Sequence, residues 1–346
     1  MRKNIVYVIT KPETGGAQKW IYEQKKMLDG EYNIFLITSG NGWLTEQFDN
    51  HKVFLIPSLT SIKKPIALYY LILILKKIKA DVVVSSSANA GFYARLAKIF
   101  FPHKSIYVSH GWSCIYNGGK FKSLFCFVEK LLSYFTDELL CVSKSDRRKA
   151  IDTIGVKSQK ITVISNTVTP MLTKQRVLIP KKVLFLGRMV YPKRPDLLAS
   201  VALLIPCLDF YFVGDGSYVT ELKSKYKDAK NIFFLGEVKN FISFNEYDIF
   251  VLCSDSEGLP MSAIEAGSAG IPLILSDVGG CHELVYTLSN GNSNGLLFNN
   301  DVNNLRFTIE NMVNNYPIFS QAAQDVMRNY NIQFYKNEYI NLFEKG

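Results

Sequence analysis

The stretch SDSEGLPMSAIEAGSAGIPLIL, residues 254–275, joins the apolar run DIFVLCS (248–254) to the apolar run PLILS (272–276). Between the runs lie a Gly-Leu-Pro turn and a segment of helical length, so the stretch reads as strand, loop, helix, strand. Both runs are apolar throughout instead of alternating with polar residues. Such strands are buried on both faces, which places them in a parallel sheet covered by helices on each side.

The same rhythm extends in both directions. In the first half the short apolar runs are IVYVIT (5–10), NIFLITS (33–39), VFLIP (53–57), DVVVSSS (81–87), SIYVSH (105–110), ELLCVS (138–143) and ITVISN (161–166). In the second half KVLFLG (182–187), DFYFVG (209–214) and NIFFLG (231–236) precede the two runs already quoted. Stretches of helical length separate them, and many runs end in a small or polar residue. Ligands of open α/β sheets bind just beyond the carboxyl ends of strands, so this punctuation falls where a site is expected. The 346 residues suffice for two domains of ordinary size. The expected division is an α/β domain over 1–168, a linker over 169–181 rich in Pro and basic residues, a second α/β domain over 182–330, and a closing helix over 331–346.

Bulk properties restrict the function classes. The chain is 48% hydrophobic and 20% charged, the composition of a folded protein. Its formal net charge of +10 favours anionic partners: nucleic acid, phosphorylated small molecules or an acidic membrane face. The N-terminus carries no signal-peptide cleavage pattern, and no apolar stretch reaches the roughly 20 residues that span a bilayer. The six cysteines show no CxxC pairing and read as reduced, buried thiols of a cytoplasmic protein. The four histidines lack ligand spacing, so neither a metal nor another cofactor is expected.

Within the opening stretch, Pro260 suits the first position of a helix, since its missing N–H would be unpaired there anyway. Glu257 then lies in the loop and Glu265 projects from the second turn, about 12 Å further at helical rise. The helix start between them offers free N–H groups and a positive dipole end, a favourable place for a diphosphate. A capped helix with one solvated and one paired glutamate fits the same residues. In FLGRMVYPKRPD (185–196), Arg188 follows a strand-end glycine and Lys193 precedes a helix. Two cations at the lip of a parallel sheet are suited to holding a diphosphate and stabilising the charge it gains on leaving. VGDGS (213–217) is a tight Gly turn without a third glycine, weak as a dinucleotide signal. In TKPETGGAQKW (10–20), Gly15 and Gly16 open the first helix and permit a phosphate to approach, as an ordinary strand-to-helix turn also would.

Taken in order, these elements resemble family 4 retaining glycosyltransferases of the GT-B fold. The Gly-Gly loop, His110-Gly111, Val142-Ser143 and Asn166 fall in the first half. Gly187-Arg188 with Lys193, Gly214-Asp215-Gly216, Gly236, Glu257-x7-Glu265 and Gly279-Gly280-x-x-Glu283 fall in the second. The resemblance implies two Rossmann-like domains facing across a cleft, with a nucleotide-diphosphate sugar gripped mainly by the second. It implies Glu265 as the ribose-binding acid, Glu257 as the acid facing the donor sugar, and Arg188 with Lys193 as the diphosphate clamp. Backbone at Gly258, Leu259, Pro260 and Met261 matches positions that hold sugar hydroxyls and phosphate. Gly16 matches the loop near the diphosphate, Val238 the neighbourhood of the base, and His110 a residue beside the transferred sugar. His110 would orient that sugar or stabilise positive charge on it, while the leaving phosphate oxygen takes the acceptor proton. Two positions depart from the family pattern: Asn166-Thr-Val-Thr replaces Asn-Gly-Val-Asp, and Lys193 is followed by Arg194 where glycine is usual.

The resemblance implies a saccharide acceptor, expected to be lipid-linked, in bacterial surface-polysaccharide synthesis. The segment 115–135 interleaves lysines with aromatic residues and is expected to meet an anionic membrane interface. KKPIALYYLILILKKIK (63–79) is apolar nearly all round, which predicts a buried sheet-covering helix. Two rivals are weaker. A nucleotide-sugar epimerase of the same fold would need acids and bases arranged around the sugar, and the Arg188–Lys193 clustering fits diphosphate departure better. A nucleic-acid-binding protein would show a basic stripe with stacking aromatics, and no such motif is found, so no nucleic-acid partner is expected.

Overall fold

The computed structural model describes residues 2–116 and 118–345; Asn117, inside the aromatic-basic segment, lies outside them. Contacts divide the chain into two units, residues 1–166 with 332–346, and residues 167–331.

The first unit is a seven-stranded parallel sheet in the order β3-β2-β1-β4-β5-β6-β7. Its strands are β1 (Asn4–Val8), β2 (Asn33–Thr38), β3 (Val53–Leu55), β4 (Val82–Ser85), β5 (Lys104–Ser109), β6 (Glu138–Cys141) and β7 (Ile161–Val163). Each coincides with an apolar run of the sequence, and β4 and β6 are buried along their whole length. The helices are α1 (Gly16–Leu28), α2 (Ile66–Ile78), α3 (Ala88–Ala97), α4 (Ser113–Tyr116), α5 (Lys122–Leu132) and α6 (Lys144–Lys149). Ser143 caps α6, its Oγ accepting from the Asp146 N–H at 3.0 Å.

The second unit is a six-stranded parallel sheet in the order β10-β9-β8-β11-β12-β13. Its strands are β8 (Lys182–Leu186), β9 (Asp209–Val213), β10 (Ile232–Gly236), β11 (Ile249–Leu252), β12 (Leu273–Ser276) and β13 (Gly295–Phe298). The helices α7 (Pro195–Ala202), α8 (Val219–Lys225), α9 (Met261–Ser268), α10 (Val302–Asn314) and α11 (Tyr316–Val326) complete it. The segment 169–181 is irregular and packs on this unit. The Lys174 N–H donates to the Ala269 carbonyl at 2.8 Å, and Lys174 pairs with the buried Asp248 at 2.9 Å. The last helix, α12 (Lys336–Glu344), returns to the first unit, where Tyr339 and Phe343 are buried.

Three expectations need correction. The helix α2 is not buried all round: Ala67, Leu71, Leu75 and Ile78 pack inward, but Ile66, Tyr69, Tyr70 and Leu73 are 45–57% exposed. A helix in the outer layer has one inward face, and among the described residues nothing packs over the other. The cysteines are not all buried, for Cys207 is exposed in the turn between α7 and β9. Pro260 stands just before α9 with an extended backbone (φ −72°, ψ 119°) and does not occupy its first turn. A shift of one residue at a helix end is small, and Pro260 has no N–H to leave unpaired in either place.

Candidate active site

In the second sheet the strand order reverses between β8 and β11, since β9 and β10 continue on one side and β12 and β13 on the other. Loops leaving the carboxyl ends of two strands diverge at such a point and leave a crevice for ligand. The loop after β8 carries Arg188 and Lys193, and the loop after β11 carries Glu257, Gly258, Leu259 and Pro260 and leads into α9. Sequence positions some 60–70 residues apart therefore meet at one sheet edge.

These loops are laced together. The Arg194 N–H donates to the Cys253 carbonyl at 3.0 Å, and the Asp255 N–H to the Pro192 carbonyl at 2.8 Å. The Ser254 N–H donates to Ser276 Oγ at 2.9 Å, and the Gly280 N–H to the Gly258 carbonyl at 2.8 Å. Asn300 Nδ2 adds a 2.7 Å bond to the Ser254 carbonyl. On the other side the Met189 N–H donates to the Asp215 carbonyl at 2.8 Å, fixing the Arg188 loop to the Gly214-Asp215-Gly216 turn. Gly214 has φ +137°, and a Cβ there would lie 2.0 Å from the Gly187 carbonyl oxygen. Only glycine lets the two turns approach so closely.

The side chains have distinct environments. Lys193 Nζ and Glu257 Oε1 form an ion pair with both side chains largely buried. Arg188 is exposed and makes no ion pair among the described residues. Arg194 is bound by Asp196 through Nε and Nη2 (3.0 and 2.8 Å) and by Asp255 at 3.4 Å. Its hydrogen bonds to Asp196 hold the guanidinium well above its ordinary pKa. The charge added at this family departure is thus already neutralised, as that of Lys193 is by Glu257, and Arg188 is the cation of this loop without an ion pair among the described residues. Glu265 is buried on α9, in its second turn. Met261 begins α9 and is buried, Leu259 is buried in the loop, and Val238 is exposed beyond β10.

In the first unit the strand order reverses between β1 and β4, and the loops after these strands are joined there. The Thr10 N–H donates to Ser87 Oγ at 3.0 Å, and the two hydroxyls lie 2.7 Å apart. Gly16 begins α1 in the loop that follows β1, after Gly15 in an extended conformation. His110 follows β5, the next strand along. Trp20 of α1 meets the imidazole edge-on, with centroids 5.2 Å apart and planes at 70°. His110 Nε2 is enclosed and has no hydrogen-bond partner among the described residues. Burial lowers its pKa to about 3, so the ring is neutral near pH 7.

The structure brings Arg188, Lys193, Glu257, the 258–261 backbone and Glu265 into one region of the second unit, and in the first it sets Gly16 after β1 and His110 after β5, with β4 between the two strands and Trp20 of α1 in contact with His110. It adds residues that the sequence did not single out. Asp255 and Asn300 fasten the Glu257 loop, and Trp20 with Tyr339 backs His110, Trp20 Nε1 donating to the Tyr339 hydroxyl at 3.2 Å. The proximity of Asp255 to Glu257 and of Trp20 to Gly16 was the only available signal.

Comparison with known proteins agrees with this geometry. Residues 14–171 match the family model described as Glycosyltransferase Family 4, and residues 180–315 match that of Glycosyl transferases group 1. An Escherichia coli O-antigen biosynthesis glycosyltransferase, WbnH, is 45% identical over 98% of this chain and 99% of its own length. An E. coli UDP-Gal:alpha-D-GlcNAc-diphosphoundecaprenol alpha-1,3-galactosyltransferase is 29% identical over 81% of each chain. Anabaena HepE, crystallised with UDP, superposes with a TM-score of 0.83 over the whole of both chains at 17% identity, a likeness of fold. With two parallel Rossmann-like sheets, cations and carboxylates at the second sheet's switch point, and near-full-length relatives at this identity, the chain belongs to the family 4 glycosyltransferases and has the GT-B fold.

Proposed function

We propose that the protein transfers a sugar, with retention of anomeric configuration, from a nucleotide-diphosphate sugar to a lipid-linked saccharide during assembly of a bacterial surface polysaccharide. The reading is carried by the loops at the β8–β11 switch point, which gather Arg188, Lys193 and Glu257 beside the start of α9. Support for the pathway comes from the O-antigen relative, and support for a UDP-sugar and a diphospholipid-linked acceptor comes from the galactosyltransferase relative.

In this reading the free N–H groups at the α9 N-terminus and the two cations receive the diphosphate and stabilise the charge that develops as it departs. The Lys193–Glu257 pair keeps the ammonium oriented before substrate arrives, and such preorganisation is what makes charge stabilisation effective. Glu257 accepts hydroxyls of the donor sugar, Glu265 accepts ribose hydroxyls, and the Val238 region borders the base. Backbone at Gly258, Leu259, Pro260 and Met261 contacts sugar and phosphate, and Gly16 lies near the diphosphate. To His110 we assign orientation of the transferred sugar. A neutral imidazole suits that task, because an imidazolium would repel the positive charge that develops on the sugar. The leaving phosphate oxygen takes the acceptor proton. The enzyme works on the cytoplasmic side of the cell membrane, where its segment 115–135 meets anionic lipid.

The test uses purified protein, a panel of UDP-, GDP- and ADP-sugars, and a short-chain polyprenyl-diphospho-saccharide. A new glycoside whose NMR coupling shows the donor's anomeric configuration is expected. An inverted product refutes retention, and the absence of transfer from every donor refutes the acceptor class.

A further inference from the structure

We infer that the outer face of the helix layer α2–α3–α5 is a docking plane that seats the first unit on an anionic bilayer, with α2 as a principal inserted element. This deepens the membrane contact just proposed, on which it rests, and extends it beyond the segment 115–135.

Topology puts the three helices together. The crossovers from β3 to β4, β4 to β5 and β5 to β6 all step the same way along the sheet, whereas that from β1 to β2 steps the other way. Right-handed crossovers then place α2, α3 and α5 on one face and α1 on the opposite one. Consistently, α3 packs against both α2 and α5.

Both outer helices are seated by their inner faces. Leu71 and Leu75 of α2 pack with Tyr93 and Ala94 of α3 in one buried cluster. Glu129 of α5 takes a 2.8 Å ion pair from Arg95 of α3, whose fully buried guanidinium lies 4.1 Å from the centre of the Tyr107 ring. Breaking a buried pair of this kind is costly, so α5 is anchored with its inner face fixed. The residues left outside are therefore outward by construction: Tyr69, Tyr70 and Leu73 on α2, and Leu124, Phe125 and Phe127 on α5. Ile99 and Phe100, at the end of α3, are exposed between them. So many exposed large apolar side chains on three helices packed side by side point to an interaction site.

Charge identifies the occupant. Residues 61–80 contain five lysines, at 63, 64, 76, 77 and 79, and no acid. Lys120 precedes α5, Lys122 and Lys130 lie on it, and its one acid, Glu129, is committed to Arg95. A second copy meeting this face in a two-fold contact would set lysine against lysine with no compensating carboxylate. An anionic headgroup layer satisfies the lysines, and the acyl boundary receives the apolar rows. Helix α2 has 13 residues, about 20 Å at helical rise, short of the roughly 30 Å hydrocarbon core. It lies in the interface and does not cross it.

The experiment is vesicle co-sedimentation of the full chain, without donor or acceptor, on phosphatidylcholine vesicles with and without phosphatidylglycerol. Wild type should bind only the anionic vesicles and be released by salt. Tyr70→Ser with Leu73→Ser on α2, and Leu124→Ser with Phe127→Ser on α5, should each weaken binding about tenfold or more with an unchanged melting temperature. Equal binding to neutral vesicles, or binding insensitive to salt, overturns the proposal on unaltered protein. An α2 variant that sediments like wild type overturns the plane, and a wild-type dimer that these variants dissociate replaces lipid by a second copy. Transfer to a water-soluble acceptor, measured in parallel, needs no bilayer. Its failure strikes the glycosyl-transfer reading, whereas failed sedimentation with intact transfer strikes only the docking plane.

Discussion

Replacing Gly279 by alanine should slow sugar transfer through backbone geometry alone. Gly279 has φ +58°, and a Cβ built there lies 1.9 Å from the carbonyl oxygen of Glu257. Ordinary contact begins near 3.4 Å, so the two segments must part by roughly 1.5 Å. The left-handed conformation itself costs alanine about 1–2 kcal/mol. The neighbouring bond from the Gly280 N–H to the Gly258 carbonyl (2.8 Å) ties the same two loops, so the displacement reaches Glu257 and the start of α9. A misplacement of about 1 Å at a reacting centre can cost about 10²-fold in rate, and the expected fall in kcat is of that order. Gly291→Ala is the control: its φ is +84°, but a Cβ there meets nothing within 4 Å. It should lower the melting temperature by a few degrees through strain and leave kcat intact. The assay is steady-state nucleotide release with acceptor present, alongside thermal melting. If Gly279→Ala loses stability like Gly291→Ala but keeps wild-type kcat and KM, the Glu257 loop is not part of the reacting centre.

Glu265→Gln is expected to weaken nucleotide affinity in titration calorimetry, whereas Glu257→Gln mainly lowers kcat; unchanged affinity in Glu265→Gln removes the ribose assignment. Arg188→Ala and Lys193→Ala should each cost about 10²-fold in turnover, with wild-type activity surviving EDTA. An absolute need for Mg²⁺ or Mn²⁺ would show that the two cations are insufficient. Because burial holds His110 at about 3 while an unfolded chain binds its proton near 6.5, the unfolded state carries the extra proton between those values. Stability present above pH 6.5 is then lost as pH falls toward 3, with a slope of up to about 1.4 kcal/mol per unit from this group. His103, also lowered by burial, acts in the same sense. In denaturant titrations His110→Gln should flatten the slope by one such group, and an unchanged slope refutes the buried neutral ring.

The sheets were legible because strands covered on both faces must be apolar along their length, and such runs stand out. The strand β13 was not: Gly295–Phe298 has only three apolar residues, set among Asn and Gly that read as turn. Glu257 and Lys193 could be marked as candidates from their loop positions, but their ion pair joins residues 64 apart and follows only from the switch point. The extra cation Arg194 looked like added site charge until Asp196 and Asp255 were found around it. Helix α2 misled for a related reason. An apolar surround on a helix signals burial, yet the sequence does not say whether the second face is covered by protein or by another phase.

The candidate site also depends on the end of the chain. Helix α12 makes ion pairs with the first unit at Lys3–Glu344 (2.5 Å) and Glu31–Lys336 (3.0 Å), all with substantial exposure. Each such pair is worth about 1 kcal/mol or less. Burial of Tyr339, Leu342 and Phe343, at roughly 1.5–3 kcal/mol per side chain, outweighs them and fixes where the helix lies. Docked there, Tyr339 accepts from Trp20 Nε1, and the indole so held packs against His110 in a T-shaped contact. Losing the helix would leave a buried N–H without its partner and admit water toward the imidazole, restoring the solvation that burial removes. The neutral state of His110, set some 230 residues earlier in the chain, is thus maintained in part by the last helix.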